Sequence, residues 1–176
     1  KFNMLIARME PENNIETILH GHADSKSSTP LILVGNYENN FGSYLKEKYE
    51  SKKTIFVGAI YDLSLLNNLR YYSSLYFHGH SVGGTNPSLL EAMASGALIV
   101  AHDNIFNKSV LENDAFYFNN ADDVKRIAEQ GIEKMKYANF LANNKEKIAL
   151  YYSWDYITTE LEKCLTDALH ERQLQK

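Results

Sequence analysis

The apolar and polar positions of this chain follow two periods in turn. Short apolar runs end at a glycine or a polar loop, and each is followed by a stretch in which apolar residues recur every three or four positions. The runs at residues 2–7, 30–34, 54–57, 75–77, 98–101 and 115–118 are rich in Leu, Ile, Val and Phe and read as strands. The intervening stretches read as helices: from a cap at Asn13 or Asn14 to about Ala23, then residues 41–49, 62–73, 87–95 and about 107–111. In the third helix Leu63, Leu66, Leu69 and Tyr72 fall on one apolar face. A helical region begins at Ala121 and runs to about Leu150 with a break expected near Asn143. A last helix from Trp154 carries Trp154, Ile157, Leu161, Leu165 and Ala168 on one side. Regular alternation of strand and helix predicts an α/β fold, a Rossmann-like parallel sheet flanked by helices on both faces.

Length and composition narrow the class. The 176 residues suffice for one domain with a buried core, and no internal repeat or linker divides them. Hydrophobic content of 44% with 23% charged residues is globular, and a net charge of −4 gives no reason to expect a nucleic-acid partner. A lone cysteine, Cys164, excludes a disulfide framework and a cysteine-rich metal site. No apolar run approaches the length of a membrane span, and no signal peptide is visible. The chain opens at Lys1 almost directly into a strand, so it is expected to be a segment of something longer.

The chemistry concentrates in residues 78–101. A strand ends at His78, and Ser81-Val82-Gly83-Gly84-Thr85-Asn86-Pro87-Ser88 forms a glycine-rich turn into a helix. Gly83 and Gly84 allow a tight turn and a close backbone approach by a ligand. Asn86 suits the N-cap and Pro87 the first helical position. The unpaired N–H groups and dipole of such a helix start attract anions. Glu91, one turn inside, is placed to reach past a phosphate toward a sugar hydroxyl. Each piece alone has an ordinary reading: a turn that binds nothing, an asparagine that only caps, a solvated helix glutamate.

The string Leu90-Glu91-Ala92-Met93-Ala94-Ser95-Gly96-Ala97-Leu98-Ile99-Val100-Ala101 resembles the donor-binding segment of the family 4 nucleotide-sugar glycosyltransferases. That family has the two-domain GT-B fold and carries Glu, seven residues, Glu, then Ala-Met-Ala-x-Gly-x-Pro-Val-Val-Ala. Its first glutamate falls here on Gly83 and is absent. The Gly-Gly-Thr-Asn-Pro variant is similar to a subgroup of rhamnosyltransferases of bacterial surface polysaccharides. Residues 7–15, Ala-Arg-Met-Glu-Pro-Glu-Asn-Asn-Ile, are similar to the family's Gly-Arg-Leu-x-Pro-Glu-Lys-Asn-x segment. The family's lysine is replaced by Asn13, which leaves a donor diphosphate less neutralised.

The resemblance implies one nucleotide-sugar donor-binding domain over residues 1–176, the C-terminal half of a GT-B fold, with the N-terminal acceptor domain absent from this chain. Arg8, at the carboxyl end of the first strand, would grip the donor diphosphate, and its planar fork suits phosphate oxygens. The ordinary reading of Arg8 is instead a surface arginine paired with Glu10 or Glu12. Gly84, Thr85 and Ser88 would offer backbone amides to phosphate, helped by the Thr85 or Asn86 side chain, since Pro87 has none. Glu91 would accept from ribose hydroxyls, and Gly58 would let the loop after the third strand pass close to the base. His80 would lie near the donor phosphate or sugar, and His78 would be packed. Two histidines about a glycine, with no carboxylate or thiol nearby in sequence, do not make a metal site, and no cofactor is expected. His102, Asp103, Asn104 and Asn107 sit on the same sheet edge and would either rim the sugar pocket or be ordinary loop polarity.

The function implied is transfer of rhamnose or another hexose from a nucleoside diphosphate sugar to a glycan or lipid-linked acceptor in surface polysaccharide biosynthesis. The enzyme would be cytoplasmic or peripheral at the inner membrane face, and the isolated domain inactive. Two alternatives stay open. A GT-B nucleotide-sugar epimerase would need further catalytic groups across the cleft. A non-catalytic nucleotide-binding or interaction module is favoured by Asn13 and Gly83 in place of charged residues.

Overall fold

A computed structural model describes residues 1–82 and 84–174. Six strands, β1 (Asn3–Ile6), β2 (Leu31–Val34), β3 (Thr54–Gly58), β4 (Tyr76–His78), β5 (Ile99–His102) and β6 (Phe116–Phe118), form one sheet in the order β3-β2-β1-β4-β5-β6. Every neighbouring pair is parallel, with Leu5 opposite Leu33 on one side and Phe77 on the other. The chain therefore builds outward from β1 through β2 to β3. It then returns to the other side of β1 and builds outward again through β4, β5 and β6. The sheet reverses its direction of growth between β1 and β4.

Both faces are covered, as a sheet of crossover connections requires. Strand side chains alternate between the faces. Leu5, Leu33 and Phe77 pack with Ile15, Ile18 and Leu19 of α1 (Ile15–Asp24), Leu45 of α2 (Asn40–Tyr49) and Val124 and Ile127 of α6 (Ala121–Glu129). Met4, Tyr76 and Ile99 face the other way. They meet Leu66 of α3 (Leu63–Tyr72), Leu89, Ala92 and Met93 of α4 (Pro87–Ala94), and Val110 and Leu111 of α5 (Ile105–Leu111). Full burial of each such side chain contributes about 1.5–3 kcal/mol. α7 (Ala138–Tyr151) adds Ile148 to the second face, and α8 (Trp154–Leu174) follows it.

Helix starts are fixed by short polar side chains. Asn39, Asp62, Asn86, Asn104 and Asn120 each accept a backbone N–H from the first turn of the helix that follows, at 2.7–3.0 Å. A cap of this kind is worth about 1 kcal/mol. Asn86 followed by Pro87 is the start expected from the sequence. The fifth helix starts two residues earlier than expected, because Asn104 rather than a later residue supplies its cap.

Three expectations are corrected. Asn13 does not cap α1: residues Pro11–Asn13 form a 3-10 turn, and Asn14, at the cap position, makes no side-chain cap. The helical region after Ala121 breaks at residues 130–133, where Gly131 has φ +60°, and α7 runs unbroken through Asn143. In α3 the buried residues are Leu66 and Arg70, whereas Leu63 and Tyr72 are 62% and 70% exposed. The stripe of α8 is open as well, with Trp154, Leu161 and Leu165 all exposed.

Two close approaches at the carboxyl end of the sheet bear on the site. A Cβ at Gly35 would meet the Ala7 carbonyl oxygen at 2.1 Å, and one at Gly79 would meet that of Asn13 at 2.0 Å. Only glycine lets these loops converge.

Candidate functional site

The loops at the carboxyl ends of β1, β2, β3 and β4 enclose an open cleft of about 520 Å³. Its walls include residues 6–10 after β1, Gly35 and Asn36 after β2, Ala59 and Tyr61 after β3, residues 78–80 after β4, and Asn86 and Ser88 at the start of α4. The cleft straddles β1 and β4, where the sheet reverses. Open parallel sheets leave a crevice at that position, because successive loops there depart to opposite faces.

Arg8 enters from one side, exposed and just past β1. The start of α4 enters from the other. Asn13 forms part of the floor and is buried. Its Nδ2 donates to the Arg8 carbonyl at 2.8 Å, and its Oδ1 lies 2.7 Å from His80 Nδ1. Asn14 reaches across to donate to the Gly79 carbonyl at 2.8 Å, which ties the β1 and β4 loops together. From β5 and α5, Asn104 and Asn107 both donate to the His80 carbonyl at 3.0 Å. For His102 and Asn107 the sequence left open a sugar-pocket rim or ordinary loop polarity; Asn107 is buried and also donates to the His102 carbonyl at 2.9 Å.

His78 is buried at the end of β4, as expected. Burial, and then the neighbouring His80, push its pKa down to about 3, so it stays neutral. Its Nε2 has no partner among the described residues. Below α4, the buried Tyr76 hydroxyl lies 3.1 Å from Ser88 Oγ, and burial raises the Tyr76 pKa.

Of the residues singled out from sequence, Arg8, His80, Asn86 and Ser88 line one cleft. The Ser88 amide, expected to face phosphate, is instead taken by the Asn86 cap at 2.9 Å, and the Ser88 hydroxyl lies against that of Tyr76. Gly84 and Thr85 are exposed on the turn above, and Gly83 lies outside the described residues. Gly58 ends β3 with φ +78° beside the cleft, and its neighbour Ala59 lines the wall.

Glu91 lies off the cleft lining. Its carboxylate closes on the guanidinium of Arg70, a residue the sequence reading missed. Arg70 is 1% exposed and also donates to Asn67 Oδ1 at 2.9 Å. Among the described residues, no group of three or more His, Cys, Asp or Glu is arranged to hold a metal ion.

The sequence profile "Glycosyl transferases group 1" matches residues 1–148. The chain belongs to that family. No curated protein sequence matches it. Among solved structures, a glycosyltransferase from Rickettsia africae superposes with a TM-score of 0.78 at 15% identity, over 96% of this chain and 48% of that one. HepE of Anabaena in complex with UDP superposes with a TM-score of 0.75 at 19% identity, over 95% and 49%. The C-terminal domain of the group 1 glycosyltransferase LpcC from Francisella tularensis gives 0.68 at 14% identity, over 88% and 87%. These likenesses establish the GT-B type of Rossmann-like fold. The chain spans about half the length of the first two structures and most of the isolated LpcC domain. In this group 1 glycosyltransferase domain, Arg8, Asn13, His80, Asn86 and Ser88 line the β1–β4 crevice, whereas Gly58, Gly84, Thr85 and Glu91 lie outside its lining. No helix among the described residues is long and apolar enough to cross a membrane.

Proposed function

We propose that this domain is the donor-binding half of a glycosyltransferase that takes a nucleoside diphosphate sugar, with rhamnose or another hexose as the sugar. The reading rests above all on one observation: Arg8 and the capped start of α4 face each other across the crevice where the sheet reverses. A diphosphate lying between them would meet a guanidinium fork on one side and a helix dipole on the other. As the bond from sugar to phosphate breaks, both groups would stabilise the charge gathering on the departing diphosphate. The Ser88 and Thr85 hydroxyls, the Gly84 and Thr85 amides and His80 complete the donor set, and no metal or cofactor is needed. Glu91, held by Arg70 through one oxygen, keeps a second oxygen for a ribose hydroxyl. HepE, bound to UDP in its own structure, has the same fold, which supports a nucleotide as the ligand of this domain.

The acceptor, a glycan or lipid-linked saccharide of a bacterial surface polysaccharide, would be held by a partner half outside these residues, at the cytoplasmic or inner membrane face. On that reading the 176 residues alone bind donor and do not turn over. A non-catalytic nucleotide-binding module is the second reading. It is favoured by Asn13, whose neutral amide is spent on Arg8 and His80 where the related enzymes carry a lysine.

Calorimetric titration with UDP, dTDP and GDP tests the reading. Binding of one nucleotide, lost in Arg8→Ala, is the expected result. Absence of binding by all three to both this domain and the full-length chain overturns it, and binding without transfer or donor hydrolysis by the full-length chain selects the non-catalytic module.

A further inference from the structure

His80 is held from three sides. Its carbonyl oxygen accepts from Asn104 and Asn107, each at 3.0 Å, and its ring Nδ1 lies 2.7 Å from Asn13 Oδ1. Asn13 is fixed in turn, because its Nδ2 donates to the Arg8 carbonyl at 2.8 Å. That bond determines the proton positions. A carbonyl oxygen only accepts, so the Asn13 atom facing Arg8 is the amide nitrogen and the atom facing His80 is the amide oxygen. The amide oxygen also only accepts, so His80 Nδ1 carries the proton. The neutral ring then has its lone pair on Nε2, which makes no hydrogen bond among the described residues, on a side chain that lines the cleft.

We infer that Asn13 is a positioning residue that locks the His80 tautomer, and that His80 Nε2 takes up a proton to become the second cationic contact, beside Arg8, for the diphosphate of the nucleotide sugar. The inference rests on the donor reading above and explains how a domain with asparagine in place of lysine supplies that charge. An anion set against the free ring nitrogen favours the protonated imidazole, because the cation is the stronger hydrogen-bond donor to phosphate. The proton comes from solvent on binding and stays on Nε2, donated in a hydrogen bond to a phosphate oxygen, while Nδ1–H keeps its bond to Asn13. Asn13 holds the ring, and Asn104 and Asn107 hold the main chain that carries it, before the ligand arrives, so little ordering is left to do on binding.

The charged and titratable groups around His80 allow this. The β1–α1 connection contributes Arg8, Glu10 and Glu12; β4 contributes His78; the end of β5 contributes His102 and Asp103. Asp103 is paired with Lys108 at 2.6 Å. His78, its ring centroid 6.2 Å from that of His80, is held neutral by burial and does not compete for the proton.

Two measurements on the intact domain test the inference. The first is the ¹⁵N shift of the His80 ring nitrogens without ligand. A protonated Nδ1 in the wild type, lost in Asn13→Ala and kept in Asn13→Asp, is expected, and a protonated Nε2 in the neutral wild-type ring overturns the inference. The second is titration with inorganic pyrophosphate and with UDP, dTDP and GDP at pH 6 and pH 8, for wild type, His80→Gln and His80→Lys. Any pH slope that survives in His80→Gln belongs to the phosphate itself. Beyond it, wild-type binding should weaken roughly tenfold at pH 8, as a charge-assisted hydrogen bond is lost, and His80→Lys should remove that excess. Nucleotide binding with the same slope in wild type and His80→Gln overturns the His80 role and leaves the donor reading standing. Pyrophosphate binding with the excess slope, and no preference for a nucleotide, keeps His80 and removes the nucleotide. Absence of binding by every probe overturns both.

Discussion

Arg70 and Glu91, twenty-one positions apart in sequence, close on each other between α3 and α4, with the arginine buried and the glutamate half-exposed. The glutamate that resembles a ribose reader is thus also the counter-charge of a buried guanidinium. Removing one partner of a buried pair leaves the other uncompensated. Glu91→Ala is expected to cost about 2 kcal/mol of stability, less than the 3–5 kcal/mol of a fully buried pair because water already screens half of the carboxylate. Urea denaturation measures this. A Glu91→Ala protein as stable as wild type would show that the pair contributes nothing to the fold. A loss of nucleotide affinity in that variant reports on the ribose only when the protein is shown to stay folded at the assay temperature.

Stability should rise with pH through the weakly acidic range. Burial depresses the pKa of His22 to about 4 and that of His78 to about 3, both below the ordinary value of 6.5. Between the folded and unfolded values the unfolded chain binds more protons. The stabilisation is therefore complete above pH 6.5 and is lost as pH falls, toward about 4 for His22 and about 3 for His78. At pH 5 each histidine should already have cost about 2 kcal/mol. Denaturation midpoints taken from pH 7 to pH 5 read the slope, and His22→Gln should halve it. A flat profile would contradict both shifts.

Arg8 is exposed and its side chain supports no part of the core. Arg8→Ala should leave the melting midpoint within the scatter of ordinary surface substitutions. Its nucleotide affinity should drop about 10- to 100-fold, the loss of hydrogen bonds to a charged group. Paired thermal melts and calorimetry separate the two effects. A variant that binds as tightly as wild type places the diphosphate elsewhere.

The glycines of the β4–α4 loop should split into two kinds. At Gly84 an added Cβ would meet nothing within 4 Å, whereas at Gly79 it would strike the Asn13 carbonyl oxygen at 2.0 Å. Gly84→Ala should fold like wild type. Gly79→Ala should lose roughly 3 kcal/mol or more, the upper range for overpacking, because backbone rather than a flexible side chain must yield. Chemical denaturation of the two variants decides the matter, and equal stability would refute the close approach.

Much of this architecture was legible along the chain because it is encoded locally. Apolar runs ended by a glycine or a polar loop marked all six strands, and Asn86-Pro87 marked the start of α4. What escaped the sequence reading depends on partners distant in sequence. Arg70 looks like a solvated helix charge until Glu91 is brought beside it. Asn143 and Asn144 look like a helix break, but their amides are taken by Asp114, to its side chain at 2.8 Å and its carbonyl at 2.9 Å, so the helix passes through them. The cap expected at Asn13 is lost because its side chain serves Arg8 and His80 instead. In the candidate site, Arg8 and the start of α4 were visible as motif fragments. The asparagine cage around His80 was not, since it joins three loops by bonds to main-chain oxygens and one ring nitrogen.

The tight fit at Gly35 and Gly79 sets how this crevice can change over generations. Its base is drawn by main chain against main chain, with no room for a side chain at either glycine. Above it, Asn36 and Tyr61 stand exposed on loops that make few commitments to the core. A saturation library across the crevice should show near-total intolerance at the two glycines and broad acceptance at the rim. New ligand preferences in such a domain would then arise by exchanging rim side chains over an unchanging base, so its repertoire can diversify without re-solving the fold.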